Sequence, residues 1–219
     1  GSVVAIGAIG NDGNGISSGH VRIYQNVSGT WTQVGDDIDG EAAGDYSGTS
    51  VRLSSDGSVI AIGADYNNGN GDGSGHVRIY QNVNNTWIQI GEDIDGEAAG
   101  DESGWSVSLS DDGSFVAIGA SHNRGVNGFD SGHVRIYQNV GGTWTQVGND
   151  IDGEAEYDNS GRSVSLSSDG SVVAIGADGN DGNGYNSGHV RVYQNINNTW
   201  TQVGSDIDGE NAVDQSGFS

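Results

Sequence analysis

The sequence predicts an all-β chain of stacked, four-stranded antiparallel units, and three observations lead there. Gly1-Ser2-Val3-Val4-Ala5-Ile6-Gly7-Ala8 recurs in closely similar form from Gly57, Gly113 and Gly170, so the 219 residues hold four tandem copies at spacings of 56, 56 and 57. Within each copy, apolar runs of strand length alternate with Gly, Asn, Asp and Ser, the pattern of short strands joined by turns. No window shows the 3.6-residue periodicity that marks an amphipathic helix.

In the second copy strands are expected over 51–54, 58–64, 76–83 and 86–90. Asp56-Gly57 joins the first pair, because glycine accepts the positive φ of a tight hairpin turn, and Asp112-Gly113 and Asp169-Gly170 repeat it. A Gly/Asn-rich loop over 65–75 leads into the third strand, and Asn84-Asn85 turns into the fourth. The extra residue of the third copy falls in its loop between Ala120 and Gly132, where no strand register is disturbed.

A lone sheet of this size has two apolar faces that only neighbouring sheets can cover. The copies must therefore stack, and four-stranded units of this length are the size of β-propeller blades. The expectation is a single repeat domain over 1–219, with blades near 1–56, 57–112, 113–169 and 170–219. The small Ala-Ile-Gly-Ala strand is expected nearest the propeller axis. Ser216-Gly217-Phe218-Ser219 matches Ser47-Gly48-Thr49-Ser50, so the repeat is out of phase with the chain ends. A segment of a longer array, or one that joins neighbouring copies through its strand edges, is expected on that ground.

These repeats resemble the FG-GAP repeats of integrin-α-like propellers. The likeness runs through Ser47-Gly48-Thr49-Ser50-Val51, Val116-Ala117-Ile118-Gly119-Ala120 and Ser74-Gly75-His76-Val77-Arg78-Ile79-Tyr80, and it covers the chain four times over. The resemblance implies an extracellular propeller used in adhesion, ligand binding or scaffolding. The phenylalanine before the glycine is replaced by serine, and the proline after Gly-Ala is missing. The family's Asp-rich calcium hairpin between the first two strands is only Ser-Ser-Asp-Gly-Ser or Ser-Asp-Asp-Gly-Ser here, so calcium is not carried over to that hairpin.

Composition narrows the function. The formal net charge is −23, with 30 acidic residues against seven arginines and no lysine, which opposes binding to DNA, RNA or anionic membranes. Such charge suits salt or divalent cations, which screen it. Apolar runs such as Val3-Val4-Ala5-Ile6 fall far short of the ~20 residues that cross a bilayer, so this segment inserts in no membrane. The absence of cysteine excludes disulfides and thiolate chemistry. With no initiator methionine and a first residue inside a repeat, the chain reads as a mature or internal segment, secreted or at a cell surface.

The segment Asp37-Ile38-Asp39-Gly40-Glu41-Ala42-Ala43-Gly44-Asp45 is the leading site candidate. Its oxygens stand at positions 1, 3, 5 and 9, a calcium-loop spacing, and it recurs as Asp93, Asp95, Glu97 and Asp101; as Asp150, Asp152, Glu154 and Asp158; and as Asp206, Asp208, Glu210 and Asp214. Two readings stay open: a Ca²⁺ site, and a turn between blades whose Asp side chains cap backbone amides or pair with arginine. Against calcium, the glycine stands at position 4 and no Glu follows at 12.

Asn11-Asp12-Gly13-Asn14, Asn67-Asn68-Gly69-Asn70 and Asn180-Asp181-Gly182-Asn183 read as tight turns. His20, His76, His133 and His189 open the third strands and read as structural. Arg22, Arg78, Arg135 and Arg191 alternate with them and read as partners of neighbouring Asp. Trp31, Trp87, Trp144 and Trp200 read as packing between blades. Asn26, Asn84 and Asn197 head N-glycosylation sequons on the turn between the third and fourth strands.

No nucleophile and base stand together in the sequence, and an enzyme breaks repeat symmetry to build one site. The expected function is therefore a non-catalytic extracellular adhesion or structural propeller that assembles with other copies or binds an extracellular protein or glycan. The alternative is a calcium-dependent carbohydrate- or protein-binding module.

Overall fold

The computed structural model describes residues 2–219. Four antiparallel sheets follow one another along the chain, one per repeat. In the second, the spatial order is Ser50–Leu53, Val59–Ala64, His76–Val83 and Thr86–Gln89, within a residue of the sequence expectation at each end. A further two-residue strand, Ile94–Asp95, returns to the same long strand. Tyr80 lies opposite Gln89 while Val77 lies opposite Ile94, so the outer edge loops out two residues between the two pairings. Asp93 sits in that bulge, which is how a segment that reads as a plain turn comes to aim a carboxylate at the sheet.

The hairpins form for the expected reason. Asp56 Oδ1 accepts the Ser58 backbone N–H at 2.9 Å and the hydroxyls of Ser54 and Ser58 at 2.8 Å, and Gly57 takes φ 76°. The Ala-Ile-Gly-Ala strand, however, is second in its sheet and not innermost. The inner edge is the strand beginning at Ser50, which packs on its counterpart Ser106–Leu109 of the next blade.

Stability resides between blades. Val21, Ile23 and Ile38 of the first blade bury against Ile60, Ile62 and Tyr80 of the second, and the same positions repeat at the other two junctions. Each such side chain contributes about 1.5–3 kcal/mol by leaving water. Two polar ties cross each junction. The indole N–H groups of Trp87, Trp144 and Trp200 donate to the carbonyls of Val34, Ile90 and Val147 at 2.7–2.8 Å. The guanidinium groups of Arg78, Arg135 and Arg191 donate to the carbonyls of Asp39, Asp95 and Asp152 at 2.7–2.8 Å.

Candidate functional site

The fourfold clusters come first, because the bulge and the blade junction build them together. His76 opens the long strand and is buried. Its Nδ1 lies 3.6 Å from Asp93 Oδ2 and 4.0 Å from Asp95 Oδ1 of its own blade, and 4.0 Å from Glu41 Oε2 of the blade before. Gln89 fixes the Asp93 carboxylate by donating to it at 2.6 Å. Glu97, His133 and Asp150 repeat the cluster, as do Glu154, His189 and Asp206, while the first blade joins His20 to Asp37 and Asp39.

Burial and the Arg135 guanidinium push His133 down to about 4, and burial and Arg78 push His76 down as well. Both imidazoles are therefore neutral at pH 7 and offer a lone pair. His133 Nε2 and both ring nitrogens of His189 are buried with no hydrogen-bond partner. A four-coordinate metal at 2.0–2.2 Å separates its ligand atoms by about 3.3–3.6 Å, close to the spacing around His76. These acidic and histidine groups can hold a metal ion.

The expected four-oxygen loops do not close on themselves. Asp93 and Asp95 face His76 of their own blade, Glu97 crosses to His133 of the next, and Asp101 turns away to accept the Ala98 N–H at 2.8 Å. Asp45, Asp158 and Asp214 cap the corresponding turns at 2.7–2.9 Å. Gly96 has a packing reason: a Cβ there would lie 1.9 Å from the Ser74 carbonyl oxygen. The Asn67 turn forms, its Oδ1 accepting the Gly69 N–H at 2.8 Å. Asn84 and Asn197 are exposed at the turn with φ 52° and 53°, while Asn26 caps the Gly29 N–H at 2.8 Å.

A second constellation was missed in the sequence. Tyr46, Glu102, Asn159 and Gln215 occupy one repeat position, and Thr49, Trp105, Arg162 and Phe218 another, inside an otherwise constant Ser-Gly frame. Asp65-Tyr66, Ser121-His122 and Asp178-Gly179 likewise differ just after the second strand. The fold gathers these variable positions. Glu102 Oε2 lies 2.9 Å from His122 Nδ1, and Trp105 meets the His122 ring edge to face at 5.6 Å. Arg162 lies over Trp105 at 4.3 Å and over Phe218 at 4.9 Å, with Asp178 at 3.9 Å.

Burial and neighbouring charges shift the titration of several groups there. The Glu102 carboxylate raises His122 above its usual value. Burial pushes the carboxyls of Asp65, Asp130 and Asp178 up, and Thr49 donates to Asp65 at 2.7 Å. An imidazole–carboxylate pair with a neighbouring cation is an arrangement that moves protons near neutral pH. Reading the repeats column by column, for positions that vary inside a constant frame, is the signal that would have found it.

No known protein family matches the chain, and no curated protein matches it. Solved structures do. A protein assigned as a 6-phosphogluconolactonase from Bacteroides uniformis matches with a TM-score of 0.62 at 13% identity, over 95% of this chain and 55% of its own. The periplasmic gluconolactonase of Pseudomonas aeruginosa matches with a TM-score of 0.61 at 17% identity, over 97% of this chain and 52% of its own. The fold is a β-propeller. The chain spans about half the length of these two proteins, and at such identities the likeness establishes the fold alone.

These neighbours narrow the FG-GAP resemblance to a propeller. They also correct the expectation of a non-catalytic adhesion or structural protein, together with its alternative of a calcium-dependent binding module. Both neighbours carry the names of lactone-hydrolysing enzymes. The repeat symmetry is also broken at one place, where positions that vary inside the constant frame bring Glu102 and His122 together. Among the described residues no helix is long and apolar enough to cross a membrane.

Proposed function

We propose that this chain is part of a hydrolase that opens sugar lactones, with His122 as general base and Glu102 as the group that orients it. The observation that carries the reading is the 2.9 Å contact between Glu102 and His122 at the place where the repeats differ. His122 Nδ1 faces Glu102, leaving Nε2 to take a proton from water as that water adds to the lactone carbonyl carbon. The ring C–O bond then breaks, and the departing alkoxide takes the proton back from the imidazolium, giving the open hydroxy acid. Glu102 stabilises the imidazolium in between. Arg162, on the Trp105 ring, supplies positive charge for the developing oxyanion or the acid product.

The lactonase names of two structural neighbours support this class of substrate. The repeat is assigned to the FG-GAP type on its motifs, and a location outside the cytoplasm fits its charge and its periplasmic neighbour. The cation of the fourfold clusters is assigned to the zinc or manganese class, since an imidazole joins the carboxylates. Calcium, which the acidic spacing suggests, is the comparison.

Hydrolysis of glucono-1,5-lactone, followed by acid release, tests the reading. The expected rate exceeds the spontaneous one, falls about 100-fold in His122→Asn, and in Glu102→Gln shows its pH midpoint moved down. A wild-type rate equal to the spontaneous one, or a fully active His122→Asn, overturns it.

A further inference from the structure

A cavity of about 310 Å³ adjoins the Glu102–His122 site, enclosed by Glu156, Tyr157 and Asn159 before the fourth blade and by Asp178, Asp181 and Tyr185 within it. That volume is in the range of small-molecule sites. Two contacts tie it to the reacting groups. Asp178 lies 3.9 Å from Arg162, and Asn159 Nδ2 donates at 3.4 Å to the carbonyl of Ser121, the residue before His122. Burial pushes the Asp178 carboxyl up while the charges of Arg162 and His122 pull it down, so His122 acts on the cavity electrostatically. We propose, resting on the hydrolytic reading, that this cavity holds the hydroxyl-bearing part of the substrate and restricts it to unphosphorylated sugar lactones.

Residue type shapes the cavity. The fourth copy carries Gly179 where the others carry Ile9, Tyr66 and His122. A Cβ at Gly179 would lie 2.0 Å from the Tyr157 carbonyl oxygen, so only glycine lets the Tyr157 turn close in, and the Gly179 N–H donates to the Asp158 carbonyl at 3.1 Å. Tyr157 and Tyr185 are thereby left in the lining with their rings exposed. Such rings give a sugar an apolar face to stack on while its hydroxyls reach polar groups around it.

Charge sets the selection. Asp178 is buried, and its Oδ1 has no hydrogen-bond partner, an acceptor that a ligand hydroxyl satisfies. Glu156 and Asp181 add two exposed carboxylates. Among the described residues no arginine or histidine lines the cavity, and the chain has no lysine. Arg162, behind Asp178, is already engaged by that carboxylate and by the rings of Trp105 and Phe218. A hydroxyl therefore meets acceptors here, whereas a phosphate meets three carboxylates with no free counter-charge.

Calorimetric titration of the 219-residue chain with glucono-1,5-lactam, whose ring resists opening, and with the lactam 6-phosphate tests the cavity without turnover. Wild type is expected to bind the lactam, and the 6-phosphate about tenfold or more weakly. Tyr185→Ala, at an exposed position, is expected to weaken lactam binding about fivefold. Glu156→Gln combined with Asp181→Asn is expected to narrow the gap between the two ligands. The turn survives that change, because Asn68 accepts the Gly73 N–H in the second copy as Asp181 accepts that of Asn186, both at 2.7 Å. No lactam binding, a 6-phosphate bound as tightly as the lactam, an unchanged Tyr185→Ala or an unchanged gap in the double variant overturns the proposal. Lactam binding of the expected pattern by a protein that does not accelerate lactone opening overturns the hydrolytic reading instead.

Discussion

Arg135 donates from Nη2 to the carbonyl oxygen of Asp95 at 2.7 Å, across the junction between the second and third blades. The same guanidinium lies 3.9 Å from Glu97, so one side chain serves both backbone and cluster. Its stem is buried, and removing the charge strands acceptors in a dry interface. Arg135→Met is expected to cost about 1.5–3 kcal/mol. Arg22→Met, whose ion pair with Asp37 is open to solvent, is expected to leave stability unchanged within error. Urea unfolding of the two variants checks the contrast.

The depressed His133 makes stability fall in acid. The unfolded chain takes up a proton near pH 6.5, whereas the folded imidazole resists until about pH 4 because burial and Arg135 disfavour its charge. Between those values the unfolded state binds more protons, so stability is full above pH 6.5 and is lost as pH falls toward 4. Asp150 and Asp101 oppose the shift without cancelling it. His133→Asn cannot take up the proton, and its melting temperature is expected to vary less steeply than wild type across this window.

Gly96→Ala tests the packing role of the acidic segment. Its Cβ would lie 1.9 Å from the Ser74 carbonyl oxygen, and the Gly96 N–H already donates to Gly75 at 2.8 Å, so the strand cannot move aside freely. A loss of about 3 kcal/mol is expected from overpacking. Gly100→Ala has open space but φ 81°, and about 1 kcal/mol is expected there. Thermal denaturation separates the two.

Calorimetric titration with Zn²⁺, Mn²⁺ and Ca²⁺ tests the clusters. Uptake is expected to be strongest for a metal that accepts imidazole, and His133→Ala is expected to lose one site per chain. Asp101→Asn, whose carboxylate caps a turn, is expected to leave the number of sites unchanged.

The sequence by itself determined the repeat, the strands and the hairpins. Local rules govern these: Asp56-Gly57 needs only a positive φ and nearby hydroxyls, and His76–Val83 alternates its faces whatever lies beside it. Tertiary structure decided everything that crosses a junction. Glu97 stands two residues from Asp95 yet serves a different histidine, because the bulge and the turn to the next blade send neighbouring carboxylates to opposite sides of an interface. Glu102 and His122 are 20 residues apart on separate loops, and only the stacking of sheets brings them to 2.9 Å. Spacing along a chain specifies what one strand can present; which strands face each other is set by packing.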